Sequence, residues 1–326
     1  MGGGPNPPPA ASPADKLPGL LTPSLLALIV SRRLPYSPPT APINFAHFGR
    51  DIFLTDSFGP LIRSHVWPVL IALSEIGLSR MPDLSSPPYL PHPADPSYPA
   101  QCLGLQLLLD HLPRLLFRGV DHRWTYDYFN ILSERLASTW LALPEHQRPD
   151  SWARWRDGDG NGDGNGAGLD YWIGVRFWFG TPFVHSERLA SQESAAEYTE
   201  ATRRVVEDIS GLTDPYRERE KREAILSDVV GFPREYRRGP PQGDGVTRES
   251  WTFWMGMLMD IHKPIIDKFG RYPYLNAICG RKATEEEKRW VEETDHFGEA
   301  AEDVATWIRD DVNAGRWSRL GTGTKV

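Results

Sequence analysis

Proline lacks the N–H that a helix interior needs, and glycine loses more chain entropy on ordering than other residues, so their placement bounds where helices can run. Of the 30 prolines and 29 glycines here, more than half are gathered into residues 1–23, 33–42, 82–99, 157–168 and 239–245. Between these stretches the chain is poor in breakers and carries apolar residues at helical spacing. No stretch shows the sustained apolar/polar alternation with hairpin turns that half-buried strands require. The chain is therefore expected to be all-α, a compact helical array behind a disordered Pro/Gly-rich N-terminal arm.

The expected organisation is an arm and entry segment over 1–42, a single all-α domain over 43–312 and a tail over 313–326. Flexible insertions are expected near 157–168 and 213–248. Between Phe58 and Ile76 an apolar stripe with Pro68 predicts a kinked helix. Residues 82–99 read as a Pro-rich loop. Gln101 to Phe117 reads as buried helix interrupted at Pro113, Tyr126 to Leu143 as helix ending at Pro144, and Leu169 to Phe179 as a short aromatic helix broken by Gly180 and Pro182. Ser186 to Ile209, Trp251 to Phe269 and Glu299 to Val312 complete the array. Thr284 with Glu287 has the spacing of a capping box, in which hydroxyl and carboxylate satisfy reciprocal backbone donors.

Composition narrows the partners. With 36 Lys and Arg against 43 Asp and Glu the formal charge is −7, which argues against non-specific binding of nucleic acid or an anionic membrane. Two cysteines, Cys102 and Cys279, cannot build a disulfide framework, so a reducing, cytoplasmic setting is expected. The apolar run Leu25 to Val30 is shorter than the roughly 20 residues of a membrane span. The arm before it carries only Lys16 as a basic residue, which does not fit a secretory leader.

Three polar clusters interrupt the apolar helices. The first runs Leu108-Leu109-Asp110-His111-Leu112-Pro113-Arg114, then Phe117-Arg118-Gly119; the second runs from Pro182 through His185, Glu187 and Arg188 to Gln192-Glu193. The third joins His262 to Phe269-Gly270-Arg271-Tyr272-Pro273, Asn276-Ala277 and Gly280-Arg281. In this order they resemble the domain-of-unknown-function family 924, from about Asp51 to Phe297, and the chain reads as a diverged member with insertions. The resemblance implies a compact all-α fold related to tetratricopeptide-like repeats, and no reaction. Where the family has Asp-Gln-Phe-Pro-Arg-Asn this chain ends in Leu115, and where it has Pro-His-Arg-Asn this chain has Tyr274 and Leu275. A less basic, more apolar pocket is the consequence.

The residues also speak for themselves. Asp110 and Arg114, four apart, can pair on one helix face. His185, Leu189 and Gln192 would share a face, with Glu187 at a helix start where a carboxylate is favoured. Arg271 and Arg281 flank a turn and could present two guanidiniums to a carboxylate or phosphate. One expectation is thus a polar pocket for a small anionic molecule, with His185 and His262 as acid or base and Asp110, Arg114, Glu187, Gln192, Arg271, Asn276 and Arg281 as binding residues. The other is a helical-repeat scaffold for a partner peptide, in which these clusters are structural hydrogen-bond networks. An isoprenoid cyclase is a minor third: there are 36 aromatics but no DDxxD run. No cofactor is identified, and no HExxH or CxxC spacing marks a metal site. Asp159, Asn161, Asp163, Gly164 and Asp170 match a Ca²⁺-loop template, but the surrounding glycines favour a flexible insertion.

Overall fold

A computed structural model describes residues 12–36, 42–53, 55, 59–156 and 167–324. It is 68% helical, and no strand occurs among the described residues. The helices used below are α1 (Pro13–Leu20), α2 (Pro23–Arg33), α3 (Gly59–Ile76), α4 (Tyr98–Gln106), α5 (Leu112–Leu116), α6 (Asn130–Leu141), α7 (Ala167–His185), α8 (Leu189–Ser210), α9 (Arg219–Ser227), α10 (Gly231–Arg238), α11 (Arg248–Asp260), α12 (Lys263–Phe269), α13 (Glu285–Glu293) and α14 (Glu302–Asn313). The capping box at Thr284 opens α13, with Glu287 N–H on Thr284 Oγ1 at 3.2 Å.

Helix α7 is the axis of the array. Leu169, Tyr171, Trp172, Ile173, Val175, Phe177, Trp178 and Phe179 are all buried, so it is apolar around its circumference and requires neighbours on every side. Helices α6, α8 and α11 supply them. Phe48, Trp178 and Trp251 pack edge to face at ring separations of 5.6 and 5.1 Å, a geometry aromatic quadrupoles favour.

Several expectations are corrected. Helix α7 does not break at Gly180 and Pro182 but runs on to His185. A Cβ at Gly180 would lie 2.8 Å from the Tyr198 ring, so this glycine permits close packing of α7 on α8. Pro182 cannot donate to the Trp178 carbonyl, and the Thr181 hydroxyl lies 3.1 Å from that orphan. Nor does Pro113 interrupt its helix: the widened π turn Leu107–His111 precedes it and joins α4 to α5. A second widened turn, Thr125–Phe129, leads into α6.

Among the described residues, α1 and α2, inside the segment assigned to arm and entry, belong to the packed fold. Leu17, Leu21, Leu26 and Ile29 are buried, because α2 lies on α4 and α1 on α3. The 213–248 stretch contains α9 and α10, with Phe232 and Glu235 buried. The 313–326 tail is docked over its described part, with Leu320 and Thr324 buried. Residues 157–166, and with them Asp159, Asn161, Asp163 and Gly164 of the Ca²⁺ template, lie outside the described residues. Asp170 is described: it accepts from Ile43 N–H at 3.2 Å and meets Arg248 at 3.1 Å. No single described helix is long and apolar enough to cross a membrane; α1 and α2 together pass by length and composition but are bent by 59°.

Candidate functional site

The widened turn before Pro113 directs Asp110 towards α7, where it is completely buried. Its Oδ1 accepts from His185 Nδ1 at 2.9 Å and lies 3.3 Å from Arg114, one helical turn on. Its Oδ2 accepts from Thr181 Oγ1 at 3.0 Å and stands 3.3 Å from His111 Nε2. Burial opposes ionisation of Asp110, but His185, Arg114 and the His185 hydrogen bond outweigh it and hold the carboxyl well below the usual carboxylate range. Burial, then the charge of Arg114, lowers His185. The pair is thus a carboxylate accepting from a neutral imidazole, which fixes the proton on Nδ1 and leaves Nε2 with no protein partner among the described residues.

His185 keeps 22% of its side chain exposed, on the wall of a cleft of about 500 Å³. The widened turn at 125–129 and α6 build the opposite wall with Tyr126, Asp127, Asn130, Ile131 and Glu134. Glu187, Arg188, Leu275, Cys279 and Trp317 close it. Arg114 sits behind, its guanidinium 5.4 Å from the Tyr126 ring and bonded to Asn130. Burial pushes the Asp127 carboxyl and the Cys279 thiol up.

Only part of the expected site assembles here. Asp110, Arg114 and His185 converge, and Glu187 reaches the wall. His262, expected as a catalytic partner, is buried behind the wall: its Nδ1 lies 2.8 Å from the Leu258 carbonyl and its ring 3.9 Å from Phe232. Burial, then His185, pushes it down to about 3. Arg281 and Arg271 do not present free guanidiniums, since Arg281 clasps Glu187 and Arg271 holds Glu287 at 2.6 and 2.8 Å. Glu187 also accepts from Tyr272 N–H at 2.8 Å. Gln192 shares no helix face with His185, because α7 ends at His185 and α8 starts at Leu189. Its amide instead donates to the closing carbonyls of α7, Phe183 and Val184, and to Ser186 at 2.7 Å. Asn276 is buried away from the cleft lining.

Asp127, Glu134 and Arg188 were not among the expected site residues. Asp127, Asn130 and Glu134 did leave a signal, a polar stripe at helical spacing on an otherwise apolar segment. Trp317 left none. The aromatic richness behind the cyclase reading is spent on the core around Phe48, Trp178 and Trp251, and among the described aromatics only Tyr126 and Trp317 line the cleft. No group of three metal-ligating side chains occurs among the described residues.

A family model described as "Bacterial protein of unknown function (DUF924)" matches residues 89–295, well over half of the chain, and its span holds every cleft residue except Trp317. Neither the curated proteins nor the solved structures gave a match.

Proposed function

The chain belongs to the DUF924 family, and from the cleft that this family's segment builds we propose that it binds a small polar molecule and moves a proton on it through His185. One observation carries the reading: Asp110 Oδ1 holds His185 Nδ1 at 2.9 Å while the same imidazole faces a cleft of metabolite size. A carboxylate behind an imidazole selects the tautomer with a bare Nε2 and stabilises the imidazolium formed when that nitrogen takes a proton. Asp127, which lines the same cleft, is held by Arg123 at 3.4 Å.

The charge on the walls is balanced, since Glu187 is matched by Arg281, Glu134 by Arg188 and Asp127 by Arg123. Among these arginines Arg188 is the one whose side chain is mostly exposed, at 72%, so it is the anchor for an anionic group. Arg271 and Arg281 are not. The scaffold alternative, a tetratricopeptide-like array offering a face to a peptide, is favoured by Gln192, Arg271 and Arg281, which spend their donors on other protein groups.

A thermal-shift screen of phosphorylated and carboxylated metabolites on the wild type, His185→Gln and Arg188→Ala separates the two. Compounds that stabilise the wild type and lose their effect in either variant support the cleft. Equal shifts in all three proteins, or none in any, favour the scaffold. Nitrogen-15 NMR adds a test without ligand: His185 should carry its proton on Nδ1, and Asp110→Asn should redistribute it between the ring nitrogens. An Nε2–H tautomer in the wild type would sink the proton-transfer reading.

A further inference from the structure

Glu134, on α6, is only 7% exposed, yet half of its carboxylate is unspent. Its Oε1 accepts from Arg188 Nη1 at 3.2 Å and from Ser191 Oγ, whereas its Oε2 accepts from no described group. A carboxylate oxygen shielded from bulk water is costly to leave without a donor, and Glu134 lines the cleft, so the donor has to come from there. On the facing wall His185 Nε2 is a second unspent acceptor.

The placement of the acceptors decides what kind of donor fits. His185, Asp127, Glu134, Glu187 and Cys279 all line the cleft, but among the described residues no three such side chains are placed to hold one ion. A metal ion draws its acceptors to a single point, and a lone ammonium does the same. Acceptors spread over two walls suit hydroxyls spread along a carbon skeleton, each O–H donating to its own partner. That skeleton has a surface to lie on. Trp317 is 41% exposed at the cleft, and the negative face of an indole attracts the polarised C–H groups of a sugar. Arg188 is the one Lys or Arg among the described lining residues. It spends Nη1 on Glu134 and keeps 72% of its side chain exposed, which leaves Nη2 and Nε for a phosphate or carboxylate.

We propose that the cleft takes a polyhydroxylated anion, a sugar carrying a phosphate or a carboxylate. Glu134 Oε2 and His185 Nε2 accept from its hydroxyls, Trp317 packs on its C–H face and Arg188 holds its charge. The proposal rests on the cleft being the functional site and names its substrate class.

Calorimetric titration of the full chain with ribose 5-phosphate, glucose 6-phosphate and gluconate tests it, against glucose, inorganic phosphate, butyl phosphate and phosphoethanolamine. At least one sugar anion should bind about tenfold or more tighter than every control, since a hydrogen bond to a charged group is worth about that much. Glu134→Gln, its amide oxygen kept by Arg188 and Ser191, turns the Oε2 position into a donor. It should weaken the sugar anion about tenfold and leave inorganic phosphate unchanged. Trp317→Ala should weaken the sugar anion selectively as well, and as a change at a part-exposed side chain it keeps the test open if Glu134→Gln fails to fold. Butyl phosphate or phosphoethanolamine binding as tightly as the sugar anions would overturn the polyol class; loss of that binding in His185→Gln would leave the cleft itself standing. Sugar anions that bind the wild type and both variants equally would overturn it too. So would a failure of every sugar anion to bind, while the tautomer of His185 decides the proton-transfer reading separately.

Discussion

Two buried clusters of charge use the same side-chain types and finish differently. Around Arg203, Asp214 stands 2.6 Å from its Nε and Asp260 bonds its terminal nitrogen, all three being almost completely buried. Arg222 reaches in from α9 to the same Asp260. None of these residues lines a described cavity. Around Asp110, Arg114, Thr181 and His111 are likewise internal partners, but the fourth, His185, stands at a cleft with one nitrogen unspent. A network whose charged groups are all paired inside the protein ties helices together; one that leaves an atom facing solvent-accessible space can act on something else.

The comparison breaks first on stability. Arg203→Met removes the cation paired with buried Asp214 and should cost about 3–5 kcal/mol, the usual effect of removing one partner of a buried ion pair, measured by urea unfolding. A loss under about 1 kcal/mol would place the cluster among ordinary surface pairs. Next comes Gly256→Ala on α11. Its Cβ would stand 2.9 Å from the Arg203 guanidinium, an overpacking expected to cost about 1–3 kcal/mol. A neutral result would show the Arg203 side chain free to shift.

The pH dependence sharpens the same contrast. On the Asp110 side burial pushes His111 and His262 each down to about 3 and lowers His185. The unfolded chain protonates these imidazoles near 6.5, so in the window from there down to about 3 it binds more protons than the folded state. Stability present above the window is lost as pH falls, by up to about 1.4 kcal/mol per pH unit for each histidine. Unfolding midpoints at pH 7.5 and 5.0 should therefore diverge in the wild type. Arg203→Met should keep that difference and His262→Gln should reduce it; an undiminished difference in His262→Gln would assign the sensitivity elsewhere. The smallest effect is local: Thr284→Ala removes the cap of α13 and should cost about 1 kcal/mol, with the cleft chemistry untouched.

What could be read in advance follows the range of the forces involved. The 284–287 box, the four-residue spacing of Asp110 and Arg114, and most helix positions depend on neighbours a few residues away. Gly180 misled because α8 packs closely on it, and Pro182 because losing one backbone donor does not end a helix that is packed on every side. Arg271 and Arg281 looked like anion anchors because nothing in their surroundings along the chain announces Glu287 or Glu187 as partners. Asp121 looked ordinary, since its three backbone donors lie some two hundred residues away.

The sequence alone determined the all-α class, the placement of most helices and the family, because breakers, caps and apolar periodicity act within a turn or two of helix. Only the tertiary structure decided which polar residues share the cleft and which are spent holding helices together. Whether a buried group keeps a free atom depends on every partner that reaches it, and for His185, Arg281 and Asp121 those partners come from distant parts of the chain.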